Sequence, residues 1–200
     1  MKVMINKKAL ILFTKNPELG KVKTRLAKTI GNEKALEIYI KLLQHTKEIV
    51  IELDVDKFVF YSDNIIYDDI WEPSKFNKKV QVGADLGNRM LHAFGELFQS
   101  GYQSVCIIGS DCYELNSDII AGAFDDLSRN DVVLGPTFDG GYYLLGMNKL
   151  VPELFENKNW STETVYSETL VDLKKLALSL STTVKLNDID EEKDVPQHWI

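Results

Sequence analysis

Short, wholly apolar runs alternate with stretches of helical periodicity along this chain, and that alternation restricts the fold more than any other feature. Ala9–Thr14 opens the series, Phe58–Tyr61, Val105–Ile108, Val132–Leu134 and Tyr142–Leu145 continue it, and Thr183–Leu186 closes it, with Lys79–Val82 as a weaker member. Runs this short and this apolar suit strands buried on both faces. Between them, Leu36, Tyr39, Ile40, Leu43 and Val50 fall on one stripe of a helix from Asn32 to about Leu53. Leu86, Met90, Ala93, Phe94 and Leu97 mark a second helix, ended near Gly101. Ser117 is placed to cap a third, reaching about Ser128, and Ser161 a fourth, reaching about Leu180. Strands alternating with helices predict an α/β fold with a mostly parallel sheet. No repeat, low-complexity segment or long linker divides the chain, so residues 1–200 are expected to form a single domain.

In open sheets of this kind ligands sit at the carboxyl ends of the strands. The first loop, KNPELGKVKTRL from Lys15 to Leu26, leaves such an end and carries Lys15, Lys21, Lys23 and Arg25 around Gly20. Glycine lets the backbone curl around an anion, lysine and arginine neutralise phosphate oxygens, and Arg25 can do so bidentately. The spacing does not match the P-loop pattern. A solvated basic loop is the alternative. The whole chain has net charge −7 and a sequence pI near 5.0. Bulk attraction to nucleic acid or anionic membrane is therefore not expected, and any anion site must be local.

Val105–Ile108 delivers Asp111 to another strand end behind Gly109 and Ser110. A carboxylate there can hold a divalent cation together with substrate phosphates, or simply form a turn or cap a helix. GPTFDGGYYLLGM, Gly135–Met147, places Asp139 before Gly140 and Gly141. Asp-Gly signals a hairpin turn, and the two glycines permit close approach of a ligand, so Asp139 could stand at a hairpin tip inside a site. Asp188, Asp190, Glu191, Glu192 and Asp194 crowd the C-terminus, either as a solvated acidic end or with one carboxylate turned to the same site. Cys106 and Cys112 are the two cysteines and suggest a reducing cytosol rather than a disulfide framework. The charged-then-apolar start MKVMINKKALILF is too short in its apolar part for a signal peptide and lacks a small-residue cleavage site. A cytoplasmic protein is expected.

Four stretches taken together resemble one family: KNPELGKVKTRL; QVGADLGNRM; IIGSDCYEL with GPTFDGGYYLLGM; and NWSTETV with the closing DID. They are similar to a glycosyltransferase-like family that has been tied to arsenosugar biosynthesis, within the nucleotide-diphospho-sugar transferase superfamily. The resemblance implies a glycosyltransferase A-type, Rossmann-like α/β/α sandwich. It implies that Gly20, Lys23 and Arg25 meet nucleotide phosphates, joined on the residue reading by Lys15. It also implies that Asp111 and Asp188 are metal ligands for Mg2+ or Mn2+. The chain departs from the family at Tyr113, where proline usually follows Asp-Cys, and it has no second acid at that position.

The function expected is transfer of a sugar from a nucleotide sugar to a small-molecule acceptor, with Asp139 acting on the acceptor hydroxyl. Gly140, Gly141, Tyr142 and Trp160 are the candidates to line the substrate pocket. A nucleotidyltransferase that releases pyrophosphate, or a nucleotide-binding module with little catalysis, are the alternatives.

Overall fold

The computed structural model describes residues 7–199; Met1–Asn6, part of the stretch weighed above as a signal peptide, and Ile200 lie outside the described residues. Strands β1 (Lys8–Thr14), β2 (Asp56–Tyr61), β3 (Phe76–Val80), β4 (Ser104–Ile108), β5 (Val132–Pro136), β6 (Tyr142–Met147) and β7 (Leu180–Thr182) form one sheet in the order β3-β2-β1-β4-β6-β5-β7. β6 runs antiparallel to both its neighbours, and every other pairing among the described strands is parallel. The helices are α1 (Thr24–Ile30), α2 (Asn32–Val50), α3 (Leu86–Gln99), α4 (Ser117–Asp126) and α5 (Val165–Lys175).

The pleat decides the layers. On β1, Leu10 and Leu12 face a core shared with Tyr39, Leu43 and Val50 of α2 and Ile120 and Phe124 of α4. Ala9 and Ile11 face the opposite core, with Met90, Phe94 and Leu97 of α3 and Leu173 of α5. Residues that alternate in β1 thus feed two cores, which is why the run is apolar at successive positions. The result is the α/β/α sandwich expected from the sequence. A third cluster joins Leu26 of α1 and Ala35, Ile38 and Leu42 of α2 to Ile189 and Val195 of the C-terminal segment.

Several local expectations shift. The weak third strand begins earlier, at Phe76, because Phe76–Val80 pairs in parallel with Lys57–Tyr61. The last strand is Leu180–Thr182 rather than Thr183–Leu186. Its start is held where Ser179 N donates to Asp131 Oδ2 at 2.9 Å, and beyond it Leu186 makes only an isolated bridge to Thr137. The cap of α4 is Asn116, whose side chain accepts from Ile119 N at 3.0 Å, not Ser117. The fourth helix starts at Val165 behind Thr164, because Ser161 has a left-handed backbone (φ 64°) that a helix start does not use. Helix α1 was not expected; its start lies inside the basic loop.

The β5–β6 hairpin is locked onto the α5 side of the sheet. Thr137 N donates to Gly141 O at 3.0 Å, and Tyr166 N donates to Gly140 O at 2.9 Å. Gly140 has φ 90°, and a Cβ there would run into the backbone of Glu163. Gly140→Ala should therefore destabilise the fold by about 2–5 kcal/mol, combining left-handed strain with overpacking against backbone. Urea denaturation measures this directly, and an unchanged midpoint would show that the hairpin can shift away from α5.

Candidate functional site

The carboxyl ends of β1 and β4 lie side by side, since Leu12 pairs with Ile108. The antiparallel pairing of Ile108 with Leu144 brings the start of β6, and so the Asp139 hairpin, to the same end. The C-terminal segment completes the set. Phe138 N donates to Leu186 O at 3.2 Å, Ile189 N donates to Asp111 O at 2.9 Å, and Asn187 N donates to Glu114 Oε2 at 2.8 Å. Four stretches remote in sequence thereby meet: the basic loop, the Asp111 loop, the hairpin and the tail.

Lys23 is the centre of this meeting. It stands just before α1 with φ 45°, an uncommon backbone for a residue with a Cβ, and no side chain caps the helix there. Its side chain is only 6% exposed. Nζ donates to Asp111 Oδ2 at 3.1 Å and to Asp190 Oδ1 at 3.3 Å. Burial alone would lower the lysine pKa, but the carboxylates of Asp111 and Asp190 outweigh it and hold the pKa above the usual value. Arg25 reaches Asp190 Oδ2 at 3.4 Å from an exposed position, where an ion pair adds little stability.

Asp188 has a buried Oδ1 with no hydrogen-bond partner. Its pKa is raised well above the usual carboxyl value, first by burial and then by the nearby negative charges of Asp111, Asp139 and Asp190, against the opposing pull of Lys23. Among the described residues no three His, Cys, Asp or Glu side chains stand together at metal-ligand spacing. Asp111 and Asp188 nevertheless fit a divalent cation that draws its other ligands from phosphate and water. A buried carboxylate oxygen without a donor, repelled by a second carboxylate, is the environment such a cation relieves.

A hydroxyl network ties the first loop to the Asp111 loop. Tyr39 OH accepts from Lys15 N at 2.8 Å, donates to Lys15 O at 3.1 Å, and lies 3.3 Å from Ser110 Oγ. The Lys15 side chain is exposed, and Gly20 adopts φ 75° in an exposed turn. Asp139 is exposed, and its Oδ1 accepts from Thr137 Oγ1 at 2.5 Å and from Gly141 N at 3.2 Å, so it braces the hairpin. Tyr142 OH is buried without a partner, and Gly141 sits beside Thr137. Trp160 packs against Gly87 in the first turn of α3, where no Cβ would fit. Cys112 is buried and its thiol pKa is pushed up by burial, as suits a packing residue.

Sequence reasoning did not single out Asp190, Tyr39 or Ser110. Asp190 was submerged in an acidic cluster, and Tyr39 falls on the apolar stripe of α2, where its hydroxyl leaves no periodic trace.

The Asp188 environment sets a pH dependence. With the folded pKa raised, the unfolded chain releases this proton first, so stability falls as pH rises from about 4 through the folded pKa. Asp188→Asn removes that loss. In the absence of divalent metal the variant should melt higher than the parent at neutral pH. The gain should disappear near pH 3.5, where both states of the parent hold the proton. Equal melting at both pH values would mean that Asp188 is solvated.

Comparison with known proteins agrees with this frame. A family model described as "Uncharacterized protein conserved in bacteria (DUF2064)" matches residues 43–162. No curated protein matches the sequence. Among solved structures, a protein provisionally assigned as a nucleotide-diphospho-sugar transferase from Desulfovibrio desulfuricans G20 is 32% identical, with TM-score 0.85, over 94% of this chain and 84% of that one. The inositol-1-phosphate CTP transferase from T. maritima (13% identity, TM-score 0.59, 96% and 93% covered) shares the fold. So does 4-diphosphocytidyl-2C-methyl-D-erythritol synthase from Anaerococcus prevotii DSM 20548 (11%, 0.59, 94% and 92%). Matched by the family model over more than half its length, and by a 32% identical relative over nearly all of it, the chain belongs to the DUF2064 family and carries a nucleotide-diphospho-sugar transferase-like fold.

Proposed function

We propose that the chain is a nucleotide-sugar-dependent glycosyltransferase that transfers a sugar to a small-molecule acceptor. The observation that carries this reading is the buried Lys23 ammonium, held by Asp111 and Asp190 beside the unpartnered Asp188 oxygen at the carboxyl end of the sheet. The 32% identical relative, a nucleotide-diphospho-sugar transferase by assignment, supports the donor class.

In this reading Lys15, Lys23 and Arg25 meet the diphosphate, with Gly20 curving the loop toward it. Asp111 and Asp188 would hold Mg2+ or Mn2+, which when bound supplies charge neutralisation at the leaving diphosphate. The acceptor oxygen attacks the anomeric carbon as the bond from that carbon to the phosphate oxygen breaks, and the electron pair leaves with the nucleoside diphosphate. Asp139 takes the acceptor proton on Oδ2, because Oδ1 already accepts from Thr137 and Gly141. Gly141 and Trp160 are the candidates for the wall against which sugar and acceptor are placed, whereas Gly140 is packed on the Glu163 backbone and the Tyr142 hydroxyl is buried, so these two shape that wall from behind.

A second reading is favoured by the fold neighbour named an inositol-1-phosphate CTP transferase. There a substrate phosphate oxygen would attack the α-phosphorus of an NTP, and pyrophosphate would leave. Incubation with a panel of nucleotide sugars and, separately, of NTPs with sugar phosphates distinguishes the two. Free nucleoside diphosphate supports glycosyl transfer, and pyrophosphate supports nucleotidyl transfer. Tight nucleotide binding with neither product would favour a binding module.

Arg25→Ala should weaken nucleoside diphosphate binding by about 1–3 kcal/mol, the range of a charge-assisted hydrogen bond, and leave the parent nucleoside unaffected. Calorimetry with both ligands checks this; equal losses would place the effect in folding. Asp139→Asn should lower kcat and kcat/KM together by about 10²–10⁴-fold while nucleotide affinity holds. Asparagine can still brace the hairpin through its Oδ1, so a variant with normal kcat would assign Asp139 to the turn alone.

A further inference from the structure

We propose that Lys23 is a tethered counter-ion which occupies the divalent-cation position of the free protein and must leave it when a metal binds. This rests on the reading of Asp111 and Asp188 as the metal ligands. Three carboxylates, Asp111, Asp188 and Asp190, act electrostatically on the Lys23 ammonium, and two of them accept hydrogen bonds from it. The ammonium contributes one positive charge to this group. Asp188 Oδ1 remains buried and without any donor, so the compensation is incomplete. A dication between Asp111 and Asp188 completes it, but it needs the Asp111 carboxylate that Nζ now engages. Two cations drawn to one carboxylate repel each other. Metal and ammonium therefore compete for one position.

Lysine is suited to such an exchange. Its ammonium is a point charge with three rotatable donors on a flexible four-carbon stem, so it can move without refolding the backbone. Lys23 stands at the start of α1 with an unusual φ of 45°, and its side chain ends on Asp111 and Asp190. Once displaced, the ammonium meets the next anion to arrive, the substrate diphosphate. Metal and diphosphate binding are then coupled through one side chain: each favours the Lys23 position that the other requires.

The test is direct Mn2+ binding without nucleotide, read by electron paramagnetic resonance of free Mn2+, for the parent, Lys23→Met and Asp188→Asn. The exchange predicts that Lys23→Met binds Mn2+ about tenfold or more tightly than the parent, whereas Asp188→Asn binds it more weakly. Equal or weaker binding by Lys23→Met, with the parent still binding Mn2+, overturns the exchange and leaves the metal site standing. Failure of both proteins to bind Mn2+, with or without nucleotide, overturns the metal reading and the exchange with it. A second measurement needs no variant. Amine acetylation of the parent, located by peptide mass spectrometry, should modify Lys23 slowly in metal-free protein and several-fold faster once Mn2+ alone is added. Acceleration supports displacement, and no acceleration at saturating Mn2+ overturns it.

Discussion

Three carboxylates converge at one end of this sheet, and the Lys23 ammonium is the charge that lets them do so. Asp111 arrives from β4, whereas Asp188 and Asp190 arrive from the chain's far end. Their mutual repulsion would drive the C-terminal segment outward if nothing opposed it. The ion pairs of Lys23 to Asp111 and Asp190 oppose it electrostatically. The hydrogen bond from Ile189 N to Asp111 O opposes it through the backbone. Leaving the Asp188 oxygen unpartnered is the residual cost, and it stands where a ligand could remove it.

Apolar contacts carry the same segment. Ile189 and Val195 are buried against Leu26 of α1 and against Ile38 and Leu42 of α2. Tyr113, the residue that departs from the family's proline, packs edge-on to Trp199 at 4.7 Å and lies 4.9 Å from the His45 ring. Where proline would stiffen the loop after Asp111 by fixing φ, tyrosine holds it by contact with the chain's end. The departure thus replaces a local restraint by a long-range one, and the Asp111 loop, α2 and the tail become a single packed unit.

Strands β1, β2, β4, β5 and β6 were legible because each is buried on two faces, a demand that leaves ALILF or VCII few other uses, whereas the half-exposed edge strands β3 and β7 were misplaced. The basic loop was conspicuous for a different reason: cations at a strand's carboxyl end stand out in an acidic chain. Helix α1 was hidden by the same loop, since Pro17, Gly20 and the cations read as irregular backbone up to Arg25. The tail was the hardest part. Acidic residues near a terminus ordinarily face water, and nothing local in DIDEEKD distinguishes Asp188, whose neighbours Asn187 and Ile189 are held by Glu114 and Asp111, more than seventy positions earlier. Capping serines misled in both cases, because Asn116 and Thr164, one residue before or three residues after them, hold the positions that the chain geometry selects.

The reversal at β6 is what sets this sheet apart from a simple succession of parallel units. A parallel β6 would begin at the opposite end of the sheet, and the loop before it would open away from Asp111. Running antiparallel to β4 and β5, β6 instead folds the chain back so that Asp139, Gly140 and Gly141 turn over at the carboxyl end of β4. The hairpin then faces the tail, whose Leu186 exchanges backbone hydrogen bonds with Pro136 and Phe138. One strand direction therefore brings an exposed carboxylate, Asp139, to the end of the sheet where the buried Lys23 ammonium lies. A diphosphate needs the cationic side of that arrangement, and an attacking hydroxyl needs the carboxylate side. The two proposed chemistries share the first requirement. They differ in the second, because a phosphate nucleophile is already ionised and gains nothing from a base. The role of Asp139 is thus the point at which glycosyl transfer and nucleotidyl transfer on this frame physically diverge.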